Sequence, residues 1–556
     1  MKRDLPGISN KKYDLIIIGG GIFGICVAWD AALRGLKVAL FEKDDFVHAA
    51  SANCFKIVHG GIRYLQHLDI KRIRESSNER NILLRIAPHL IKPLPIVIPT
   101  YGHGINSKAL LRTAKFIYDL FTFDKNRNIN DNGRRLPHGE ILHREQCLEL
   151  FPDLKKESLT GAVTFYDAQM YSPSRLAISY LKSAVLQGAD VANYADVKSF
   201  IRNRDGIKGV KVHDRLSGEN FEARSEIVIN AAGPWSEGFL SDQLGINLFP
   251  KLSYSRDSFF VIKRQLFKNY SIAVQCSSKD SDAILRRGNR HLFIVPWRNY
   301  SIIGVWHKPI SNLKDIVSVS NEELTAQIDE INDAYPALSI KLSDISRWNA
   351  GYVLFGNNNV NEGYSYGKKS ILINHDKMHN LNGLITLVGV RYTTSRIEAE
   401  KTIDLVFKKL GRNVPRSRTS TTPLYGGDIE SFDEFLKTSL HDGDTDLSTE
   451  ILRPLIYNYG SQFKTITKYI KEDGMLSKTL GNSSVTRAEV INAVRHEMAA
   501  KLSDILFRRT DLGTGEYPGL DAVKECAELA GKELMWSSKK RENEISEVKS
   551  QFSGYS

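Results

Sequence analysis

Cysteine is scarce in this chain and poorly placed for pairing. Its five residues, Cys26, Cys54, Cys147, Cys276 and Cys526, are scattered over 556 positions with no Cys-x-x-Cys spacing. That excludes a disulfide framework or a cysteine zinc site and fits a reducing compartment. Long apolar runs are missing too, and none reaches the ~18 residues that a membrane span needs. The opening residues 1–12 are polar and lack the apolar segment of a signal peptide, so a cytoplasmic protein is expected. There is no internal repeat, no long low-complexity tract and no nucleic-acid module. His496-Glu497 does not sit in a His-Glu-x-x-His frame, so no metal site is expected.

What remains is the composition of a soluble globular enzyme, 42% hydrophobic and 25% charged, in a chain long enough for two or three domains. The net charge of +12 suits anionic substrates or anionic lipid, and the lysines and arginines are dispersed rather than clustered as a nucleic-acid footprint. Residues 110–121 read in two ways: as a basic amphipathic helix on a membrane surface, or as a helix packed within a domain.

The most informative segment is residues 13–24. An apolar run ends in Gly19-x-Gly21-x-x-Gly24, a helical pattern follows to Gly35, and a second β-rich run stops at Glu42. Gly19 permits the tight turn, Gly21 lets the backbone approach a pyrophosphate, and Gly24 lets helix pack on strand. The helix start offers unpaired N–H groups and a positive dipole end to phosphates. Glu42 is placed to accept hydrogen bonds from the adenosine ribose hydroxyls. A lone glycine fingerprint is weak evidence; strand, turn, helix, strand and terminal acid in register are much stronger.

Further along, helices are expected over 70–87 and 174–187, an exposed polar loop over 126–135, and strands over 206–213, 221–223 and 226–230. Strands are also expected over 259–262, 291–295, 301–304 and 384–388, with a helix over 393–410. A linker at 412–425 leads to a mainly helical region that includes 451–459 and 487–507, and a charged tail at 539–556 should fray at its end. Glycine-bearing strand ends recur at Gly19, Gly233 and Gly389. Ligands collect at such ends in a doubly wound sheet, and three of them suit a cofactor longer than a nicotinamide dinucleotide. A helix starting near Thr393 and Thr394 would turn its positive end toward a reduced isoalloxazine ring, which favours FAD.

These residues carry a resemblance. The chain is similar to the FAD-dependent glycerol-3-phosphate dehydrogenases, the flavoprotein type that passes electrons to quinone. The matching pieces are the glycine turn with Glu42, Lys56-Ile-Val-His59-Gly-Gly-Ile-Arg63-Tyr64, Tyr166-Asp-Ala-Gln-Met170 with Arg175, Asn230-Ala-Ala-Gly233-Pro-Trp235, Pro296-Trp297 with Ile302-Ile303-Gly304, and Thr393-Thr394. Arg495-His496-Glu497 with Arg508-Arg509-Thr510 looks like that family's helical cap.

The resemblance implies an α/β fold with an α+β substrate domain: a Rossmann-like FAD-binding domain, a mixed-sheet substrate domain and a C-terminal helical domain. The implied segments are 12–88, 161–237 and 383–411 for FAD, 89–160 and 238–382 for the cap and substrate side, and 412–556 for the helical domain. FAD would be held by Gly19, Gly21, Gly24, Glu42, Ser51, Lys56, Gly233, Gly389, Thr393 and Thr394. Arg63, His59, Tyr64 and Arg391 would face the substrate, oxidising glycerol 3-phosphate or a relative to the ketone by hydride transfer to flavin N5. Electrons would pass to quinone or another acceptor. A peripheral place on the inner face of the membrane and a homodimer are both compatible with this reading. Two alternatives stay open: an FAD enzyme acting on a different hydroxy or amino compound, and a flavin-binding partner protein without turnover.

Four departures fall on the substrate side. The family's Lys-Gly-Ser-His run is here Arg256-Asp257-Ser258-Phe259, and Phe259 carries no proton. Val353 stands where the family has an arginine, Gly389-Val390-Arg391 replaces Gly-Gly-Lys, and Val305-Trp306-His307 replaces Thr-Thr-Asp. Arg256 or His307 are candidates for the vacated roles. Trp306 and Tyr352 read either as pocket walls or as core, and Asp167 either as a base or as a carboxylate that holds a turn.

Overall fold

The apolar run that precedes the glycine turn is buried because it becomes the middle strand of a sheet. In the computed structural model, which describes residues 1–62, 64, 69–102, 108–248, 251–279, 289–314, 317–356, 369–441 and 447–552, Lys12–Ile18 lies between Val38–Phe41 and Asn220–Asn230, parallel to both. Leu384–Val388 continues the sheet in parallel beyond Asn220–Asn230. Ile18 is level with Phe41 and Asn230, and Asn230 with Thr386, so the turns after these strands leave the same edge. Ile371–Asn374 and Asp190–Ala192 close the two ends, and the hairpin of Ala195–Asn203 with Gly206–Asp214 is attached through Asn220–Asn230. Helices Ile22–Leu33, Pro173–Leu186 and Ser395–Lys409 cover this sheet, and Trp29 meets Tyr180 edge-to-face at 5.2 Å.

A second sheet, nine-stranded among the described residues, runs in the order Ile345–Phe355, Ser253–Ile262, Tyr300–Ile310, Asn289–Trp297, Ser271–Lys279, Ile91–Tyr101, Leu159–Met170, Ile57–Val58, with Ile141–His143 attached to Leu159–Met170. Strand membership departs from three of the expected segments: Ile57–Val58 and Leu159–Met170 belong to this second sheet and Ile371–Asn374 to the first. Helix Asn321–Ala334, opened by a capping box in which Ser320 and Glu323 satisfy each other's N–H groups, covers one face. The other face meets Phe55 and Lys56, on the loop that leads into strand Ile57–Val58.

Helices Phe432–His441, Thr449–Tyr459, Lys464–Glu472, Arg487–Glu497, Leu520–Glu533 and Ser538–Ser550 form the C-terminal part. One expectation changes here and two gain detail. The span 487–507 is not one helix: Met498 takes a left-handed φ of +55° and ends it at Glu497. The charged tail forms the docked helix Ser538–Ser550, whose buried Glu544 accepts from Leu502 N at 2.8 Å while Val548 and Phe552 join an apolar cluster; the fraying expected at its end falls on residues outside the described ones. The polar stretch 126–135 is exposed at Arg127, Asn128, Asn130, Asn132 and Arg135, as expected, but it is also pinned, with buried Arg134 donating to Pro88 O and stacked 4.4 Å from the Phe432 ring, and Asp131 accepting from Phe432 N.

Buried ion pairs fasten the helical part to the first sheet. Asp45, three residues beyond Glu42, accepts from Arg508 Nε and from both Arg509 Nη1 and Nη2, and all three side chains are buried. Burial pushes the Asp45 carboxyl up, but Arg509 and then Arg508 outweigh it and hold it below the ordinary carboxylate range. Arg175 grips Glu497 through paired N–H donors at 2.6 and 3.1 Å. Removing one partner of such a pair leaves a buried charge uncompensated, so Arg509→Met should cost about 3–5 kcal/mol in denaturant unfolding. A loss below about 1 kcal/mol, the ceiling for an exposed pair, would mean that this contact is not what holds the parts together.

Candidate active site

The glycine turn has the shape that the sequence demands. Gly19 has φ +107°, and a Cβ there would stand 2.5 Å from Ala231 O, so the turn and the loop after Asn230 touch through backbone alone. A Cβ at Gly24 would overlap the Gly19 carbonyl, which is the close helix–strand approach expected of the third glycine. Gly21 caps helix Ile22–Leu33 without a side chain of its own, and Ser51 reaches across from the loop after Glu42 to accept from Ile22 N at 3.0 Å. Glu42 accepts from Gly20 N at 2.6 Å and from Asp44 N at 2.9 Å. Burial pushes its carboxyl up to about 7.

The other strand ends converge as expected. Gly233, at φ +58°, has open space where a Cβ would point and starts the turn Gly233–Trp235. Gly389 receives the Phe23 ring from the first turn of helix Ile22–Leu33, and a side chain at 389 would overlap it. Thr393 and Thr394 are buried in the turn Tyr392–Thr394 that opens helix Ser395–Lys409.

Lys56 is unusual. It holds a left-handed φ of +62°, is 4% exposed, and places Nζ 4.4 Å from the centre of the Phe259 ring and 4.5 Å from that of Trp297. Burial pulls its ammonium down to about 7, with Arg298 and Arg347 adding to the fall and Cys54 opposing it.

The substrate-side candidates assemble around helix Ile70–Ile86. His59 meets Tyr64 edge-to-face at 5.7 Å; Arg72 stacks 4.5 Å from the Tyr64 ring centre and Arg391 approaches it at 5.5 Å. Arg391 donates to Ser76 Oγ at 3.0 Å and to Glu75 Oε2 at 3.3 Å. Arg63 lies outside the described residues. Asp167 holds a turn: buried, it accepts from Gly60 N at 2.6 Å and Arg80 Nη1 at 2.7 Å. Trp306 is core, stacked on Phe260 at 5.3 Å and donating to Glu330. Tyr352 is buried, and its hydroxyl accepts from Lys314 N. Arg256 does not enter the site; it donates to Glu323 and to Ser318 O, on the side of helix Asn321–Ala334. Glu75 and Asp45 were missed by sequence reasoning: each is an ordinary acid in a charged stretch, and only the fold brings it to an arginine more than 300 positions away. Arg175, one of the residues that carry the resemblance, forms the buried pair with Glu497.

Comparison with known proteins decides the class. Residues 14–367 match the family described as FAD dependent oxidoreductase, and residues 417–541 match the C-terminal domain of alpha-glycerophosphate oxidase. The chain belongs to the FAD-dependent oxidoreductase family. The glycerol-3-phosphate dehydrogenase of Synechocystis sp. is 30% identical over 98% of this chain and 97% of its own length. The mitochondrial glycerol-3-phosphate dehydrogenase of Mus musculus is 29% identical over 97% of this chain and 72% of its own. Among solved structures, the Bacillus halodurans glycerol-3-phosphate dehydrogenase complexed with FAD shares the fold over 99% of this chain and 96% of its own, with a TM-score of 0.78 at 24% identity. L-alpha-glycerophosphate oxidase from Mycoplasma pneumoniae shares the fold more distantly, over 74% of this chain and 99% of its own, at a TM-score of 0.53 and 14% identity.

The described residues fit an FAD. The glycine turn carries no side chain of its own over Gly19–Gly21, Glu42 and Ser51 accept from its Gly20 and Ile22 N–H groups, and the Glu42 carboxylate stands at the end of the second strand. A valine at position 21 would put its first carbon 3.3 Å from Ser51 Oγ, against the hydroxyl that accepts from Ile22 N. Gly21→Val should therefore lower the FAD retained on gel filtration by about tenfold or more, a loss of at least ~1.4 kcal/mol; full occupancy would refute the assigned turn. Because the Glu42 carboxyl sits near 7, its ionised form, the better acceptor for ribose hydroxyls, grows in between about pH 6 and about pH 8. FAD binding to apoprotein should strengthen across that window and the dependence should flatten in Glu42→Gln, measured by flavin fluorescence titration.

Proposed function

We propose that this protein oxidises sn-glycerol 3-phosphate to dihydroxyacetone phosphate and passes the electrons to a quinone. The observation that carries this reading is similarity over nearly the whole chain, both modules included, to proteins named glycerol-3-phosphate dehydrogenase. Gly19, Gly21, Gly24 and Ser51 would hold the pyrophosphate, Glu42 the ribose, and Lys56, Gly233, Gly389, Thr393 and Thr394 the flavin end. FAD supplies the hydride acceptor, N5, and stores two electrons for the next carrier. Arg391 and Arg63 would grip the phosphate, since a guanidinium offers paired N–H donors and stays charged at any relevant pH. Arg391 is already paired with Glu75, which in turn accepts from Lys401 at 2.8 Å, so phosphate must compete for it. Tyr64, with His59 against its ring, would border the carbon chain.

Phe259 and Val353 favour a second reading, an FAD enzyme for a less charged hydroxy compound. Anaerobic mixing separates the two. Glycerol 3-phosphate should bleach the flavin band near about 450 nm, which belongs to the cofactor, whereas bleaching by an uncharged alcohol alone would decide for the second.

The amphipathic segment supports contact with a lipid surface on the inner face of the membrane. Helix Lys108–Phe121 buries Tyr118, while Phe116, Leu120 and the following Phe123 are 70%, 60% and 80% exposed. Arg74 lies over the Phe123 ring at 5.4 Å, and the chain carries a net charge of +12. Among the described residues no helix is long and apolar enough to cross a membrane. Apolar side chains beside a cation are suited to dip into the headgroup region, where a quinone is within reach. Phe116→Asp with Phe123→Asp should abolish flotation with anionic vesicles while leaving flavin content intact; unchanged flotation would remove this surface from the reading.

A further inference from the structure

Alcohol oxidation needs a group that accepts the hydroxyl proton as the carbinol carbon gives up hydride. The position that resembles the family's histidine holds Phe259, which is 2% exposed, packed edge-to-face on Phe55 at 5.3 Å and covered by the Lys56 ammonium. It forms part of an aromatic floor and moves no proton.

Side chains alternate across a strand, so the two faces of Ser253–Ile262 can be told apart by what they touch. Arg256 reaches Glu323, Ser258 accepts from Gln327 Nε2, and Phe260 stacks on Trp306; this face meets helix Asn321–Ala334. Asp257, Phe259 and Val261 point the other way, toward the loop that carries Phe55 and Lys56. On the adjacent strand His307 is level with Asp257, and its Nδ1 stands 2.8 Å from Asp257 Oδ1. Ser255 Oγ donates to the same carboxylate oxygen at 2.8 Å. On the opposite side Asp257 is level with Gly351, where a Cβ would come 2.9 Å from Ala50 Cα. The next residue, Ser51, accepts from Ile22 N at the cofactor turn. The pair thus stands against the loop that closes the FAD site, with both side chains partly open, 19% and 21% exposed.

We propose that His307 is the base for the substrate hydroxyl and that Asp257 positions it, a role that rests on the alcohol-oxidation reading above. With Nδ1 turned to the carboxylate, Nε2 is the nitrogen that exchanges a proton with substrate, and the carboxylate stabilises the imidazolium that results. The O–H bond breaks and its proton goes to Nε2. The carbinol C–H bond breaks with its electron pair, the hydride goes to flavin N5, and the C–O bond becomes C=O. The flavin is reduced by two electrons, the alcohol is oxidised by two, and the imidazolium returns its proton to water once the ketone has left. The pair exchanges the family's partners across two neighbouring strands: an acid stands where the family has the glycine of Lys-Gly-Ser-His, and a histidine where it has the aspartate of Thr-Thr-Asp.

The test uses the FAD-loaded full chain, glycerol 3-phosphate, and 1,3-propanediol phosphate, which lacks the secondary hydroxyl. His307→Gln should slow anaerobic flavin bleaching by about 100-fold or more, the scale of general-base catalysis. By calorimetry it should weaken binding of glycerol 3-phosphate but not of the deoxy analogue, a difference that a merely structural residue would not produce. Asp257→Asn, which keeps the imidazole, should slow bleaching by about tenfold and Asp257→Glu should recover part of that rate; this pair also carries the test if His307→Gln fails to hold FAD. Arg256→Gln, on the opposite face, should bleach at the parental rate. Parental bleaching in His307→Gln, or equal weakening of both ligands, would overturn the proposal while leaving the substrate assignment standing. If glycerol 3-phosphate leaves the parental flavin yellow, the substrate assignment itself falls and the role of His307 falls with it.

Discussion

Between Gly19 and Ala231 there is no room for a side chain, and that contact governs the rest of the architecture. Two strands more than 200 positions apart lie side by side in register, and their exits meet backbone to backbone. Only then do the turn's N–H groups, the Ser51 hydroxyl and the Glu42 carboxylate come together at the start of helix Ile22–Leu33. The parallel sheet exists to bring these exits to a common edge, the place where ligands gather in folds of this type. The second sheet is oriented by the same edge, since the loop leaving Glu42 runs through Ser51 and Lys56 and then becomes its Ile57–Val58 strand.

How far this was legible in the sequence depends on how local each signal is. Helices Ile70–Ile86 and Pro173–Leu186 and strand Leu384–Val388 fall within a residue or so of expectation, because capping residues and apolar periodicity are written in adjacent positions. The separate runs at 221–223 and 226–230 proved to be one strand, Asn220–Asn230, because Ser225 is buried and its hydroxyl is satisfied by Ile227 O, so a polar residue did not interrupt it. The charged tail concealed a helix for a related reason: its inward stripe is short, and Glu544 is buried against a backbone N–H rather than solvated.

The site divides along the same line. Glycines and the terminal acid of the βαβ unit announce themselves through steric necessity. The substrate side does not, because its character depends on which face of a strand a residue takes and which distant charge it meets. Arg256 and His307 were equal candidates in one dimension; strand alternation sends the first to Glu323 and the second to Asp257. Arg391 keeps a positive charge at its position, but only the fold reveals that Glu75 shares it. Lys56 reads as one more basic residue until Phe259 and Trp297 close around it.

Asp45 joins two matters that the chain order keeps apart. It follows closely on the acid that ends the second strand, yet its counter-charges, Arg508 and Arg509, come from the helical part. Whatever steadies this corner of the nucleotide cradle therefore steadies the docked helices, and the reverse holds by the same factor, because linkage is reciprocal. The distal bundle acts as a remote buttress for prosthetic-group capture, so lesions scattered through it would surface as a pale, flavin-poor protein rather than as a change in chemistry.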